Sequence, residues 1–299
     1  LEQREGAGGT RAHALLAAGT FTLLDAYIGK DLGDGLALMA GQMKVPMLRE
    51  AGMDEKGVQG TGRSLFSAEF DPQRTQGVAL AYTADNMKFV GALTDGHDGT
   101  GGSNTPWNTY DVEYSITLRG EYLVSGTWGQ FADMTSSRGA EQAIMIGGAF
   151  HHQVGEYGTT ATETDATQWT IDASAEFDGA NVFVAYVDRN ATGTALDGSG
   201  FMAQGGYYFT DDLEGFARYE YLENEVDADS LSIITVGVNK YFAGNNAKFS
   251  ADLGWALDGV SAFWSAGTLG AGGVLNGWQT DAANEDGQMV VRAQFQLAF

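Results

Sequence analysis

Side chains alternate between apolar and polar with a period of two along most of this chain. From Tyr110 to Val124, the even positions carry Tyr, Val, Ile, Leu and Gly, while nearly all odd positions carry Asp, Glu, Ser, Thr or Arg. Successive side chains of a β-strand point to opposite faces of a sheet, so this period indicates a strand. A strand of about 15 residues is much longer than the usual five or six. The pattern therefore predicts a sheet of unusually long strands.

The same alternation recurs from end to end and predicts about 14 strands. The last of them ends at Phe299, and its apolar positions include Met289, Val291, Phe295 and Leu297. If the protein begins upstream of the given sequence, 16 strands are equally acceptable. Both numbers are even, as in β-barrels formed by a single bacterial chain. The predicted strands cover 8–19, 20–31, 36–47, 76–84, 87–95, 109–124, 141–155, 167–177, 181–190, 199–210, 213–224, 231–243, 247–259 and 287–299.

The connections between these strands alternate between short and long. Short turns are predicted at 33–35, 85–86, 178–179, 211–212 and 244–246, and long polar segments at 48–74, 96–108, 156–166, 191–198, 226–230 and 260–285. The connection of about 126–140 is an exception, because it is long but lies on the short-turn side. Short periplasmic turns and long external loops are typical of transmembrane antiparallel β-barrels. We predict one all-β barrel domain over residues 1–299, located in the bacterial outer membrane.

A soluble sandwich or β-helix is the rival fold, but its outward face should be polar, whereas one face of nearly every predicted strand is apolar. Lys and Arg number 16 against 39 Asp and Glu, giving a net charge of −23 that argues against binding to nucleic acid. The chain has no Cys, which excludes disulfides and thiolate metal sites.

A helix that crosses a membrane needs about 18 consecutive apolar residues, and the sequence contains no such run. The lack of an initial Met or signal-peptide pattern leads us to expect a processed or truncated start.

Four stretches of the sequence resemble the phosphate-selective O/P-type porin family: LLDAYIGKDLGDGLALMAGQMKVPMLRE at 23–50, RSLFSAEFDPQRTQGV at 63–78, WGQFADMTSSRGAEQAIMIGGAFH at 128–151 and the terminal VRAQFQLAF. The resemblance implies a homotrimer in outer-membrane lipid and a segment, 48–75, that folds into the lumen. Separately, an amphipathic last strand that ends on Phe299 resembles the signal by which outer-membrane barrels are recognised for assembly. The chain has few basic residues, so phosphate selectivity does not carry over from the family.

The predicted function is passive diffusion of small hydrophilic solutes and ions through a water-filled pore. Charged side chains at a constriction bias which solutes enter such a pore, although most charges merely solvate a surface. The candidate pore and constriction residues are Lys44, Arg49, Arg63, Glu69, Asp71, Arg74, Glu113, Arg119, Arg218 and Arg292. The alternatives are an anion-selective channel, for instance for phosphate, a structural barrel with a plugged lumen, and an enzyme that uses the barrel as a scaffold.

Catalytic and metal motifs have little support in the sequence. Gly-x-Ser-x-Gly and His-Glu-x-x-His are absent. His151 and His152 are neighbours on one strand and would point to opposite faces, so they cannot chelate one ion together. The run from Asp95 to Gly102 has oxygen ligands but lacks EF-hand spacing, which favours a solvated loop. We predict no catalytic residue, no cofactor and no metal.

Overall fold

The chain forms one antiparallel sheet of 14 strands that follow one another in sequence order. The structure, a computed structural model, describes residues 9–17, 20–97, 112–155, 165–192, 197–225, 230–261, 264, 277–279 and 285–298. The strands are β1 Gly9–Ala17, β2 Thr20–Gly33, β3 Leu36–Lys44, β4 Arg74–Thr83, β5 Met87–Thr94, β6 Tyr114–Ser125, β7 Ala143–Val154, β8 Ala166–Phe177, β9 Ala180–Ala191, β10 Gly198–Thr210, β11 Leu213–Asn224, β12 Leu231–Tyr241, β13 Ala247–Ala256 and β14 Met289–Leu297.

The period of two decides which face each side chain occupies. In β6, Ile116 and Leu118 are exposed, whereas Ser115, Thr117 and Arg119 are buried. The strand continues through Arg119 and Gly120 without a change of phase, as the alternation predicts. The predicted all-β fold of long antiparallel strands is confirmed.

The two faces of the sheet reverse the usual arrangement of a soluble protein. Large apolar side chains are exposed on the outer face, for example Ile28 at 65%, Phe242 at 62% and Val291 at 81%. The sheet curls around its other face. This curvature is evident from Arg119 of β6 and Lys248 of β13, which both donate hydrogen bonds to the segment between β3 and β4. We call this enclosed space the lumen. An apolar exterior around a polar interior suits lipid outside.

The connections at one rim are as short as the sequence predicts. Turns of two residues join β2 to β3, β8 to β9, and β10 to β11. In the first of them a Cβ on Gly35, which has φ +80°, would come 2.1 Å from the carbonyl oxygen of Thr83, so only glycine fits. Most of the predicted long loops, at 98–108, 156–164, 193–196, 226–229, 265–276 and 280–284, lie outside the described residues, as do residues 109–111 and Phe299.

Two longer connections are described in full, and both contain short helical turns. Residues 45–73 join β3 to β4 and include α1 (Arg49–Gly52), a 3-10 turn (Glu55–Gly57) and α2 (Leu65–Phe70). Residues 126–142 join β6 to β7 and include a 3-10 turn at Gln130–Ala132. No helix in the described ranges is long and apolar enough to cross a membrane. Within these ranges β1 pairs with β2 and β14 with β13, and no ladder joins β14 to β1.

Depth in the membrane should set the cost of a charge on the outer face. We expect Leu118→Arg, at the middle of β6, to lower the free energy of unfolding by about 2–4 kcal/mol, and Val124→Arg, near the strand end, by about 0–1 kcal/mol. Denaturant unfolding in lipid vesicles measures both values. Equal losses for the two variants would contradict a membrane-spanning orientation of β6.

Candidate functional site

Residues 45–73, here called the inward segment, are organised around the carboxylate of Glu50. Ser64 caps α2, since its side chain accepts a hydrogen bond of 3.0 Å from the backbone N–H of Ser67. Glu50 in turn accepts bonds from the backbone N–H of Ser64 at 3.2 Å and from the hydroxyl of Ser67 at 2.5 Å. Helices of four and six residues are too short to be stable alone. The buried Glu50 therefore joins α1 to α2.

The inward segment packs tightly against the wall of the lumen. Phe66 and Phe70 are buried in one apolar cluster with wall side chains of β9 to β12, namely Val187, Met202, Leu222, Leu231 and Ile233. Two wall glycines make room for it. A Cβ on Gly200 would lie 2.7 Å from the ring of Phe70, and one on Gly206 would lie 2.2 Å from the amide nitrogen of Gln59. Wall and segment are thus complementary in shape.

Buried ion pairs fix the segment to strands β9 and β11. Arg189 donates to Glu69 over 2.6 Å, and their side chains are 2% and 0% exposed. Arg218 lies 3.6 Å from Glu50 and 3.1 Å from Glu220. A charge that is buried without a partner is strongly unfavourable, so each of these pairs depends on both members.

Further anchors come from strands on both sides of this contact. Arg119 of β6 pairs with Asp172 at 2.8 Å and donates to the carbonyl of Met47 at 3.0 Å. Lys248 of β13 donates to the carbonyls of Lys56 and Val58 at 3.0 and 2.6 Å. The segment is therefore held along its length by the half of the sheet from β6 to β13.

Residues 126–142, here called the floor segment, connect two strands at the short-turn rim and contact the inward segment inside the lumen. The backbone N–H of Met134 donates to Gly57 over 3.0 Å, and Arg49 donates to the carbonyl of Phe131 over 3.0 Å. The buried carboxylate of Glu214 accepts bonds from both segments and the wall, through Gln59, Thr135, Asn181, Asn239 and Tyr241. Two connections from opposite rims thus join inside the lumen.

On the side of β2 to β4, charged side chains of the inward segment lie close to charged side chains of these three strands. We call this group the charged cluster: Asp25, Lys44, Glu55, Arg63, Asp71 and Arg74. Arg63 lies 3.0 Å and Lys44 3.8 Å from Glu55, and these three side chains are 25%, 20% and 49% exposed. Arg74 pairs with Asp25 at 2.8 Å. Within the charged cluster, Lys44, Glu55 and Arg63 are therefore partly hydrated, in contrast to the buried anchors.

Two carboxylates of the inward segment titrate abnormally. Burial alone would raise the pKa of Glu55, but Arg63 and Lys44 beside it lower that pKa to about 2. Burial raises the pKa of Asp71 to about 6, although Lys44 and Arg63 act in the opposite direction. The Oδ1 atom of Asp71 is buried and has no hydrogen-bond partner in the part of the chain that the structure describes.

The structure divides the ten candidate residues into groups. Lys44, Arg63, Asp71 and Arg74 lie in the charged cluster, Glu69, Arg119 and Arg218 are buried anchors, and Arg49 is a half-buried anchor. Arg292 pairs with Asp252 of the neighbouring strand at 2.6 Å. Glu113 is exposed beside the start of β6. Three anchors were absent from the candidates, namely Arg189, Glu214 and Lys248, although the phase of their strands places all three on the lumen face.

Comparison with known proteins identifies the fold class. No protein-family model and no curated protein matches the chain. Among solved structures, it is similar to the anion-selective porin from Comamonas acidovorans, with 13% identity and a TM-score of 0.58 over 85% of this chain and 76% of that one. It is also similar to OmpTdeltaL8, a loop L8 deletion mutant of OmpT, an outer membrane protein of Vibrio cholerae, with 17% identity and a TM-score of 0.52 over 83% and 78%.

A third structure, the trimer form of Vibrio cholerae OmpT folded in vitro, gives 15% identity and a TM-score of 0.51 over 93% of this chain and 80% of that one. At such identities the similarity concerns the fold. The chain has the fold of outer-membrane β-barrels of the porin type, and the protein is located in the bacterial outer membrane.

Breaking a buried anchor should release the inward segment. We expect Arg189→Ala to lower the free energy of unfolding by about 3–5 kcal/mol, because Glu69 stays buried without its partner. The same change should let trypsin cleave the folded protein after Lys56 or Arg63. Chemical denaturation and limited proteolysis followed by mass spectrometry measure the two effects.

Arg138→Ala is the matched control. Arg138 lies 3.7 Å from Asp211, but these side chains are 50% and 95% exposed, so its loss should cost only about 0–1 kcal/mol and leave the segment protected. If Arg189→Ala is as stable and as resistant to trypsin as this control, the anchor has no such role.

Proposed function

We propose that this protein is a porin through which small hydrophilic solutes and ions diffuse passively along a narrow, water-filled path. The path runs between the inward segment and the wall formed by β2 to β4. The observation that carries the proposal is the charged cluster, in which Lys44, Glu55 and Arg63 remain partly hydrated while other parts of the segment are packed against β6 to β13. A polar, hydrated border inside an apolar exterior is what a diffusion pore requires.

The packing of the lumen limits the size of the proposed path. Anchors from β6, β9, β11 and β13 hold the inward segment in place, and the floor segment supports it from the short-turn rim. Lys44 of β3 also donates to the carbonyls of Ala51 and Met53 at 2.8 and 3.0 Å, so the path that we propose is confined to the hydrated side chains of the charged cluster. We therefore expect a low conductance and passage of small ions in preference to larger solutes.

The charges of the cluster nearly cancel at neutral pH. Lys44, Arg63 and Arg74 contribute three positive charges, and Asp25, Glu55 and Asp71 contribute three negative ones. A balanced constriction selects weakly between anions and cations. This balance argues for general diffusion rather than the strong anion preference implied by the name of the Comamonas acidovorans porin.

Membership of the phosphate-selective O/P-type family and assembly into a homotrimer are part of the same proposal. The resembling stretches include 23–50 and 63–78, which contain five of the six cluster residues, namely Asp25, Lys44, Arg63, Asp71 and Arg74. A trimer form is named for one structural relative, OmpT of Vibrio cholerae. Transport by diffusion requires no catalytic residue or cofactor.

A plugged structural barrel is the second candidate function. It is favoured by the burial of Glu69, Arg189, Glu214 and Arg218 in the lumen. Ion pairs and hydrogen bonds within the lumen compensate their charges. Under this alternative the charged cluster would border a closed, hydrated recess. Conductance distinguishes the two functions directly.

In planar bilayers, we expect the purified protein to give discrete ohmic steps, grouped in threes for a trimer. Arg63→Ala should raise the conductance of each step, because the side chain narrows the proposed path. Arg138→Ala removes the same side chain from the rim and should leave conductance unchanged. Silent bilayers after verified insertion would support the structural barrel instead.

Ion preference should depend on pH through Asp71. Below a pKa of about 6 this carboxylate is protonated, which leaves the cluster with one net positive charge. The reversal potential in a KCl gradient should therefore shift toward anion selectivity between pH 7.5 and pH 5. Asp71→Asn should reduce this shift, whereas Asp211→Asn at the exposed rim should retain it. An unchanged shift in Asp71→Asn would exclude Asp71 as its source.

A further inference from the structure

The inward segment contacts the floor segment at the short turn that carries Glu55. Glu55 begins the 3-10 turn Glu55–Gly57 and is one of the three partly hydrated residues of the charged cluster. At the last residue of this turn, the carbonyl of Gly57 accepts a hydrogen bond of 3.0 Å from the backbone N–H of Met134. The turn therefore connects the charged cluster to the floor segment.

A glycine makes this close contact possible. A Cβ on Gly57 would lie 3.0 Å from the Cβ of Asp133 and 3.3 Å from the carbonyl oxygen of Ala132. Gly57 has no positive φ, so its missing side chain provides space rather than a special backbone conformation. Gly129 of the floor segment differs, because a Cβ there would meet only the hydroxyl of Thr127, at 3.9 Å.

The floor segment is itself fixed across the mouth of the barrel. It leaves β6 and returns to β7, yet Asp133 accepts a hydrogen bond of 2.6 Å from the side-chain amide of Asn245, between β12 and β13. The hydroxyl of Ser136 donates to the carbonyl of Phe177, at the end of β8, over 2.5 Å. A connection that starts at β6 and reaches the turn after β12 has to cross the lumen. The turn at Gly57 thus rests on a support that is tied to distant strands.

Glu214 of β11 joins the two segments to each other. Its side chain is fully buried and accepts hydrogen bonds of 2.5 Å from the amide of Gln59 and 2.9 Å from the hydroxyl of Thr135. Three side chains of β9 and β12 donate to the same carboxylate. An ionised carboxylate only accepts hydrogen bonds, and such charge-assisted bonds are about twice as strong as neutral ones. A neutral amide in its place would present N–H groups to some of these donors.

We propose that Glu214 is a positioning residue, which through the floor and inward segments fixes the turn Glu55–Gly57 in the lumen. In this position Glu55 lies 3.0 Å from Arg63 and 3.8 Å from Lys44. If the turn withdraws, the two cations lose their shared carboxylate and the charged cluster becomes positive. The inference rests on the proposed diffusion path, because it concerns the charge balance along that path.

The reversal potential in a KCl gradient tests the proposal without removing a charge. Gly57→Val should force the turn away from the floor segment and shift the potential toward anion selectivity, in the same direction as Glu55→Gln. Gly129→Val is the matched control and should leave the potential unchanged, since its side chain would enter open space. Circular dichroism shows whether each variant has folded.

Glu214→Gln should shift the potential in the same direction. Combining it with Glu55→Gln should add little to the shift, because both changes act through the same carboxylate. Glu176→Gln removes another buried carboxylate of the lumen, at 5% exposure, that accepts no hydrogen bond from either segment in the described ranges. Its shift should be smaller and should add fully to that of Glu55→Gln.

Cysteine labelling gives a readout that does not depend on conduction. The chain has no Cys, so Met134→Cys introduces a single thiol at the junction, where Met134 is 5% exposed. A maleimide should label this thiol at least about tenfold faster when Gly57→Val or Glu214→Gln is also present, because the junction then opens locally. Adding Gly129→Val should not change the rate.

Equal labelling rates in all these variants, or a reversal potential that responds equally to Gly57→Val and Gly129→Val, would overturn the proposal. Silent bilayers of the unchanged protein would instead count against the diffusion path. In that case the labelling rates alone decide whether Glu214 holds the turn in place.

Discussion

The need to pair every backbone polar group inside a bilayer determines the rest of this structure. Hydrocarbon offers no hydrogen bonds, so strands can cross it only when each pairs with a neighbour. Fourteen strands in sequence order meet that need between β1 and β14 with no crossover. Their outer side chains must be apolar, and the strict period of two then places polar and charged side chains in the lumen. Gln204, Arg218 and Asp252 lie there for this reason.

A polar lumen creates a second requirement, because charges removed from water must find partners. The inward segment supplies them. Glu69 matches Arg189, Glu50 approaches Arg218, and backbone carbonyls of the segment accept from Lys248. The glycines opposite Phe70 and Gln59 let the segment come close enough for these bonds to form. Polar pairing and shape complementarity therefore act together, and removal of either would leave buried charges unsatisfied.

The strands could be predicted from the sequence because their signal is local. A reader of residues 110–124 needs no other part of the chain to recognise a strand, and the turns at 33–35 and 178–179 are equally self-contained. The anchors are different, since Arg189 and Glu69 are 120 residues apart. Strand phase places Arg189 in the lumen but does not identify its partner. Likewise, Lys44 and Arg119 share a lumen phase in the sequence, and only the packed segment makes one hydrated and the other buried.

The same limit applies to the buried rings of His97 and His151, whose centres lie 5.5 Å apart in the lumen. Motifs are read along one element, and on one strand the period of two separates His151 from His152. His97 instead follows the end of β5 and reaches His151 of β7 across β6. In β6, Thr117 fills that intervening position and contacts His151. For a barrel, functional groups are therefore best sought among residues of equal phase and equal height, since those residues share the lumen regardless of their distance in sequence.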